Sequence, residues 1–256
     1  MFLAIDIGNT STKFGLFKKE EPFEMTFRFP TAFIISGENF RAELLPKLEA
    51  LGNLDSIIIA SVVPKASGAL REILECSHEE AKIIFLKNSD VSITNHYGNP
   101  EQVGIDRLLS SLAAYQMFGK DAKKPIIVIG LGTATTIDCI NAEGEYLGGI
   151  ITLGVESSAK HLHEVAAQLP EIELDFPKHI LGKTTTESIQ SGIMNGVVAM
   201  IEGLVQKLKK EVFENKEIIV VSSGGLSAVF EGQTSIINHI APHLVLEGIA
   251  KIATSL

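Results

Sequence analysis

One turn pattern occurs twice in this chain, and it limits the folds available. Leu3–Gly15 reads LAIDIGNTSTKFG, and 124 residues later Ile127–Cys139 reads IVIGLGTATTIDC. Each copy is an apolar run, a short turn of Gly, Thr and similar residues, and a second β-rich run. Two such runs joined by Gly, Asn and Thr predict a β-hairpin. The same hairpin opening two stretches of comparable length predicts two similar halves. With this shift Gly132 falls on Gly8, Thr133 on Asn9 and Thr136 on Thr12, while Asp6 is matched by Gly130.

The residues around each hairpin read as α/β. Met25–Phe29 alternates as a third strand, and Ser56–Val63 is a continuous apolar run of the kind buried on both faces of a parallel sheet. Ala81–Leu86 predicts another strand. Helical spacing appears over Glu38–Leu51, Ala66–Cys76 and Leu108–Phe118. After the second hairpin come a strand over Tyr146–Thr152, a helix over Gly154–Gln168 and a long helix over Thr186–Lys210. A strand over Glu217–Val221 and a last helix over Leu244–Leu256 follow. Strands in hairpins followed by alternating helix and strand argue for α/β halves. The polar stretch Gly119–Lys124 sets the expected cut near residue 120, giving halves 1–120 and 121–256. Two such halves resemble the architecture of actin, the heat-shock ATPases and the sugar kinases: ribonuclease-H-like halves with a nucleotide cleft between them.

The first turn carries chemistry as well as shape. Asp6 stands at its entrance, Ile7, Gly8, Asn9, Thr10, Ser11 and Thr12 line it, and Lys13 stands at its exit. A carboxylate for Mg²⁺, amide and hydroxyl donors for phosphate oxygens, and a lysine for charge suit a phosphate with its metal. The net charge of −9 and the lack of a Lys/Arg block speak against nucleic acid or an anionic membrane as a partner. No uncharged apolar stretch reaches the ~18 residues of a membrane span, and the N-terminus has no basic region of a signal peptide. A cytoplasmic location is expected. Cys76 and Cys139 form no CxxC pair and are expected to be buried thiols. Three look-alike motifs fail. Gly182-Lys183-Thr184 has Pro177 where a P-loop needs its first glycine, Gly130-Leu131-Gly132 precedes a strand rather than a helix, and Ser222-Ser223-Gly224-Gly225 is not a nucleophile elbow. Phosphoryl transfer also needs a carboxylate to take the proton of the attacking hydroxyl. Asp106, beside Arg107 after a glycine-bearing loop, has that position; a helix cap is its alternative role.

Taken in order, these motifs resemble the type III pantothenate kinase family over nearly the whole chain. Asp6–Thr10 resembles its first phosphate motif. Tyr97 with Pro100, and Gly104-Ile105-Asp106-Arg107, resemble its substrate loop, and Gly132–Thr136 its second phosphate motif. Thr185, Gln190-Ser191-Gly192 and Gly224-Gly225-Leu226 follow in the family's order. The resemblance implies ATP- and Mg²⁺-dependent phosphorylation of pantothenate at its 4′-hydroxyl, the first step of coenzyme A synthesis, by a homodimer. It implies Asp106 as base, ATP held by Asp6–Lys13, Thr133, Gly224 and Gly225, and pantothenate held by Tyr97, Gly104, Ile105, Asp106, Arg107 and Thr185. Departures are specific. The family's aspartate for a monovalent cation, K⁺ or NH₄⁺, is Gly130 here; a proline is Leu153; a threonine is Ala166, in Ala166-Ala167-Gln168-Leu169-Pro170. These departures leave a second reading open, a catalytically impaired or regulatory nucleotide-binding member. A kinase of the same superfold with another substrate is a third.

Overall fold

Residues Phe2–Ile7 (β1) run apolar up to Asp6 and turn back through Ser11–Phe17 (β2), paired in register so that Ile7 faces Thr12 and Asp6 faces Lys13. The computed structural model describes residues 1–18, 24–37, 39–166 and 168–253. The expected helix start at Glu38, Ala167 and the expected helix end at Leu256 lie outside the described residues. Glu24–Pro30 (β3) adds antiparallel to β2. Helices Thr31–Ser36 (α1) and Phe40–Glu49 (α2) then cross over to Ser56–Ser61 (β4), which lies parallel to β1. Pro64–Ser77 (α3) leads to Lys82–Phe85 (β5), parallel to β4. The sheet order is β3-β2-β1-β4-β5.

The second sheet repeats this order. Ile126–Leu131 (β6) and Ala134–Ile140 (β7) form the second hairpin, and Tyr146–Leu153 (β8) pairs antiparallel to β7. Ile219–Ser223 (β9) and His239–Ile240 (β10) add parallel on the other side of β6, giving β10-β9-β6-β7-β8. Val155–Val165 (α5), then Thr185–Gln190 (α6) running through a π-helical turn into Gly196–Glu211 (α7), connect β8 to β9. The duplicated hairpin of the sequence is therefore a duplicated sheet topology.

Each sheet has its own core. Leu3, Ile5, Ile7, Phe14, Ile57 and Ile59 pack with Ile34, Phe40, Leu44 and Leu70 of the crossover helices. In the other, Ile127, Ile129, Leu131, Ile137 and Val220 pack with Met194, Ile201 and Val205. The alternation of a strand puts Asp6 on the opposite face from Ile5 and Ile7. On that face Asp6 pairs with Ala60, and Ala4 with Ile58.

The units are interleaved along the chain. The first comprises Met1–Ile93, Tyr97–Ala113 and Leu244–Leu256; the second comprises Thr94–His96 and Ala114–His243. Where the sequence reading draws one cut near residue 120, the chain enters the second unit at Thr94–His96. It returns for Ile105–Ala114 (α4) and comes back finally with Leu244–Ala253 (α8). Helix α8 packs on β1, β2 and β4, which explains its strongly apolar sequence. A Cβ on Gly248 would stand 2.3 Å from the Leu109 carbonyl oxygen, so glycine lets α8 approach the α4 backbone.

One expectation needs correction. Cys76 is exposed, on the outer side of α3, and only Cys139 is buried; an apolar neighbourhood in sequence does not fix which side of a helix a residue occupies. The 27-residue helix Thr185–Glu211 is long and apolar enough to cross a membrane by length and composition, but Glu202 falls in every 18-residue stretch of it, so it is not an uncharged span. Its Ile189, Met194, Ile201 and Val205 are buried within the second unit, and Ile193, Val197, Val198 and Leu204 are partly buried against the same core.

Candidate active site

In the first unit the hairpin supplies a charged pair. Asp6 is 6% exposed, and its Oδ2 lies 3.9 Å from Lys13 Nζ, its cross-strand neighbour. Burial pushes the Asp6 carboxyl up to about 6; Lys13 pulls it down and the Asp106 charge pushes it further up. Burial likewise raises Asp106, against the lowering effects of the Arg107 amide and guanidinium. The two carboxylates and Lys13 therefore share one electrostatic environment.

Asp106 stands in the first turn of α4 rather than at its cap. Its Oδ1 accepts from the Arg107 N–H at 3.0 Å, and its carbonyl accepts from the Ser110 hydroxyl at 2.8 Å. A Cβ on Gly104 would stand 2.4 Å from Asp106 Oδ1 and 3.8 Å from Val62 Cγ1. Glycine at 104 thus clears the space the carboxylate occupies, which is a physical reason for Gly-Ile-Asp-Arg. Val62 follows β4, tied to β1 by its N–H to the Ile7 carbonyl at 3.1 Å. Sequence reasoning passed over Val62, whose apolar side chain carries no chemical signal. Tyr97 is half-buried on the loop that runs from Thr94–His96 toward Gly104. That loop is anchored by main-chain bonds of Thr94 and His96 to Tyr146, and His96 Nε2 lies 3.0 Å from Glu145 Oε2.

The donor set in the first unit fits a phosphate with Mg²⁺. Ser11 shares the sheet face of Asp6 and Lys13, and its buried Oγ has no hydrogen-bond partner among the described residues. Mg²⁺ usually takes one or two carboxylates beside phosphate oxygens and water, and Asp6 is such a carboxylate. Its raised pKa reflects a charge that lacks sufficient compensation, which a divalent cation supplies.

The second unit collects the other predicted residues in part. Thr133 is exposed at the tip of the second hairpin. Its carbonyl accepts from the Gly154 N–H at 3.1 Å and from the Ser157 hydroxyl at 2.9 Å, two partners the sequence reading did not single out. Gly224, at φ +100°, comes against the same hairpin: a Cβ there would stand 2.4 Å from the Leu131 carbonyl oxygen. Gly225 has open space around its Cα. Thr185 is exposed at the start of α6, after the capping residue Thr184. A Cβ on Gly130 would stand 2.6 Å from Thr136 Oγ1. A carboxylate at 130 would need that hydroxyl to turn aside, and the glycine itself offers a monovalent cation no side-chain oxygen.

The pairing also shifts the internal match. Leu131 faces Thr135, as Ile7 faces Thr12. The second turn is one residue shorter, so the spatial counterpart of Thr12 is Thr135, and that of Lys13 is Thr136.

The type III pantothenate kinase family model matches residues 2–207. A type III pantothenate kinase of Paramagnetospirillum magneticum is 35% identical, covering 98% of this chain and 96% of its own. Type III pantothenate kinase 1 of Symbiobacterium thermophilum is 32% identical, covering 97% and 94%. Among solved structures, a Campylobacter jejuni protein described as a conserved Baf family transcriptional activator matches with a TM-score of 0.61 at 18% identity, covering 99% and 98%. A glucokinase from an Antarctic psychrotroph matches with a TM-score of 0.51 at 11% identity, covering 100% and 99%. These two show the fold, that of the actin-like ATPases and sugar kinases.

Proposed function

The chain belongs to the type III pantothenate kinase family, and we propose that it phosphorylates pantothenate at the 4′-hydroxyl with ATP, the first step of coenzyme A synthesis. The observation that carries this reading is the grouping of Asp6, Lys13 and Asp106 in one electrostatic environment of the first unit. In this reading Asp106 takes the proton of the attacking hydroxyl as its oxygen bonds to phosphorus and the bridging oxygen leaves with ADP. The raised Asp106 pKa favours that acceptance, because a stronger base drives proton transfer further. Asp6 holds Mg²⁺ with the phosphates, and bound Mg²⁺ supplies charge neutralisation along the phosphate chain. Lys13 adds positive charge, and Ser11 and the turn amides donate to phosphate oxygens. Arg107, Tyr97, Gly104 and Ile105 line the pantothenate site of the first unit; Thr185, in the second unit, is the remaining pantothenate-binding residue that the family resemblance implies. Thr133, Gly224 and Gly225 hold the nucleotide on the second unit.

The protein works in the cytoplasm as a homodimer. Gly192, Gly196 and Gly203 of the Thr185–Glu211 helix have nothing within 4 Å of an added Cβ, leaving a face that a second helix can approach closely. Light scattering on the purified protein tests this: a monomer at micromolar concentration removes the dimer.

The activity is tested by ADP release with and without pantothenate, in K⁺ and in Na⁺ buffer. Expected are pantothenate- and Mg²⁺-dependent release and its loss in Asp106→Asn. Release that ignores pantothenate refutes the substrate. A strong K⁺ requirement means that ligands other than a side chain at 130 hold the cation.

A further inference from the structure

Thr31, the first residue of α1, is placed to fix the phosphate turn of the first unit. It touches the turn three ways. Its N–H donates to the Thr10 carbonyl at 2.9 Å, its hydroxyl donates to the Gly8 carbonyl at 2.6 Å, and its Oγ1 lies 3.1 Å from Thr12 Oγ1. A hydroxyl has one proton, and that of Thr31 is used on Gly8. Thr12 is therefore the donor to Thr31, and the bonds run in one direction: Thr12 hydroxyl to Thr31 hydroxyl to Gly8 carbonyl. Both threonines are buried, at 0% and 1% exposure, so water does not substitute for either bond.

The consequence follows from the planarity of the peptide. Among the described residues no peptide bond is cis, so the N–H of each such peptide points opposite to its C=O. Holding the Gly8 carbonyl toward Thr31 turns the Asn9 N–H away from it. Holding the Thr10 carbonyl turns the Ser11 N–H away as well. We propose that Thr31 is a positioning residue: it orients the Gly8 and Thr10 peptides so that the amides of Asn9 and Ser11 are presented to a phosphate group.

The second unit supplies an internal control. There the residue following the third strand is Gly154, and its N–H donates to the Thr133 carbonyl as that of Thr31 does to Thr10. Gly154 has no hydroxyl, and Thr135, the counterpart of Thr12, is buried with its Oγ1 unpartnered among the described residues. The shorter turn closes the space: a Cβ on Gly154 would stand 2.1 Å from the Gly132 carbonyl oxygen. The first turn is thus held by the Thr31 hydroxyl at its Gly8 carbonyl, while the second is held at its Thr133 carbonyl by the Gly154 N–H and the Ser157 hydroxyl, with close backbone packing at Gly132.

This inference rests on the reading of the first turn as a phosphate site, and the experiment separates the two. Binding of Mg²⁺ with a non-hydrolysable ATP analogue is measured by calorimetry for the wild type, Thr31→Val and Thr31→Ser, alongside melting temperature and the KM for pantothenate. Thr31→Val keeps the branched shape and loses both hydroxyl bonds; nucleotide Kd is expected to rise roughly tenfold, the scale of one lost hydrogen bond. Thr31→Ser keeps the hydroxyl and is expected to bind within about twofold of the wild type, with the KM for pantothenate unchanged in every folded variant. Should the valine variant not fold, Thr31→Ala gives the same comparison. A wild-type nucleotide Kd in the valine or alanine variant overturns the proposal, as does a serine variant as weak as valine. A wild type that binds the analogue but does not release ADP on pantothenate leaves Thr31 tested and removes the substrate instead.

Discussion

Replacing Asp6 with asparagine should stabilise the protein while removing its activity. Asp6 is raised from 3.8 to about 6, chiefly by burial. A carboxyl whose folded pKa lies above its unfolded value favours the protonated folded state. Its favourable contribution is complete below pH 3.8 and is lost as pH rises through about 6. At pH 7.5 the ionised group therefore costs the fold about 3 kcal/mol, from a shift of roughly 2 pKa units at about 1.4 kcal/mol each. Asparagine has nearly the same shape and no charge. It should recover about 2–3 kcal/mol, or roughly 5–10 °C in melting temperature for a chain of this size. The assay is thermal denaturation of wild type and Asp6→Asn without Mg²⁺ or nucleotide, from pH 7.5 to 4.5. The gap should be widest at pH 7.5, shrink as pH falls below 6 and stand at about a third of its full size at pH 4.5, because it closes fully only below the unfolded value of 3.8. Adding Mg²⁺ with ATP should stabilise the wild type and leave the variant where it was. A variant that melts at or below the wild type at pH 7.5, or a gap that ignores pH, refutes the reasoning.

Asp106→Asn should lower kcat by roughly 10²–10⁴ while nucleotide Kd stays within about twofold, since the base acts on the hydroxyl and not on ATP; stopped-flow and calorimetry check the two halves. Because burial raises both Asp106 and Asp6, wild-type kcat/KM should fall as pH drops, with an acid limb near the Asp6 value of about 6 rather than near 4; a pH–rate profile flat down to pH 5 contradicts this. Gly154→Ala should deform the second turn, because its Cβ would stand 2.1 Å from the Gly132 oxygen, and should weaken nucleotide binding more than pantothenate binding. Tyr146→Phe removes the 2.7 Å hydroxyl bond to the buried Asp138 and should cost about 1.5–3 kcal/mol by denaturant melt, the range for a bond to a charged acceptor.

What could be read from the sequence was local. The hairpins are legible because apolar alternation, a glycine and a reversal all lie within about a dozen residues. Asp106 and Gly104 are legible together because a residue two places away must stay small for the carboxylate to fit. Thr31 is not legible: its meaning comes from a hydroxyl bond to Gly8, 23 positions earlier. The return of α8 to the first sheet is hidden for the same reason, since an apolar helix does not state which core it joins.

The register of the second hairpin shows where a sequence match misleads. Thr135 and Thr136 are identical, so laying one copy on the other cannot tell which of them follows a shortened turn. The pairing decides it, with Thr135 opposite Leu131 and Thr136 opposite Gly130. The comparison then concerns a pair of residues rather than one. Where the first hairpin sets Asp6 against Lys13, the second sets Gly130 against Thr136. A glycine opposite a lysine would leave a cation without its carboxylate, and an aspartate opposite Thr136 would collide with its hydroxyl unless the side chain turned. Both members of the ion pair are absent from the second copy, and what remains is neutral and fits. The duplicated fold therefore carries its hairpin ion pair in one unit only, which is why Asp6→Asn, and no single change in the second hairpin, should separate stability from activity.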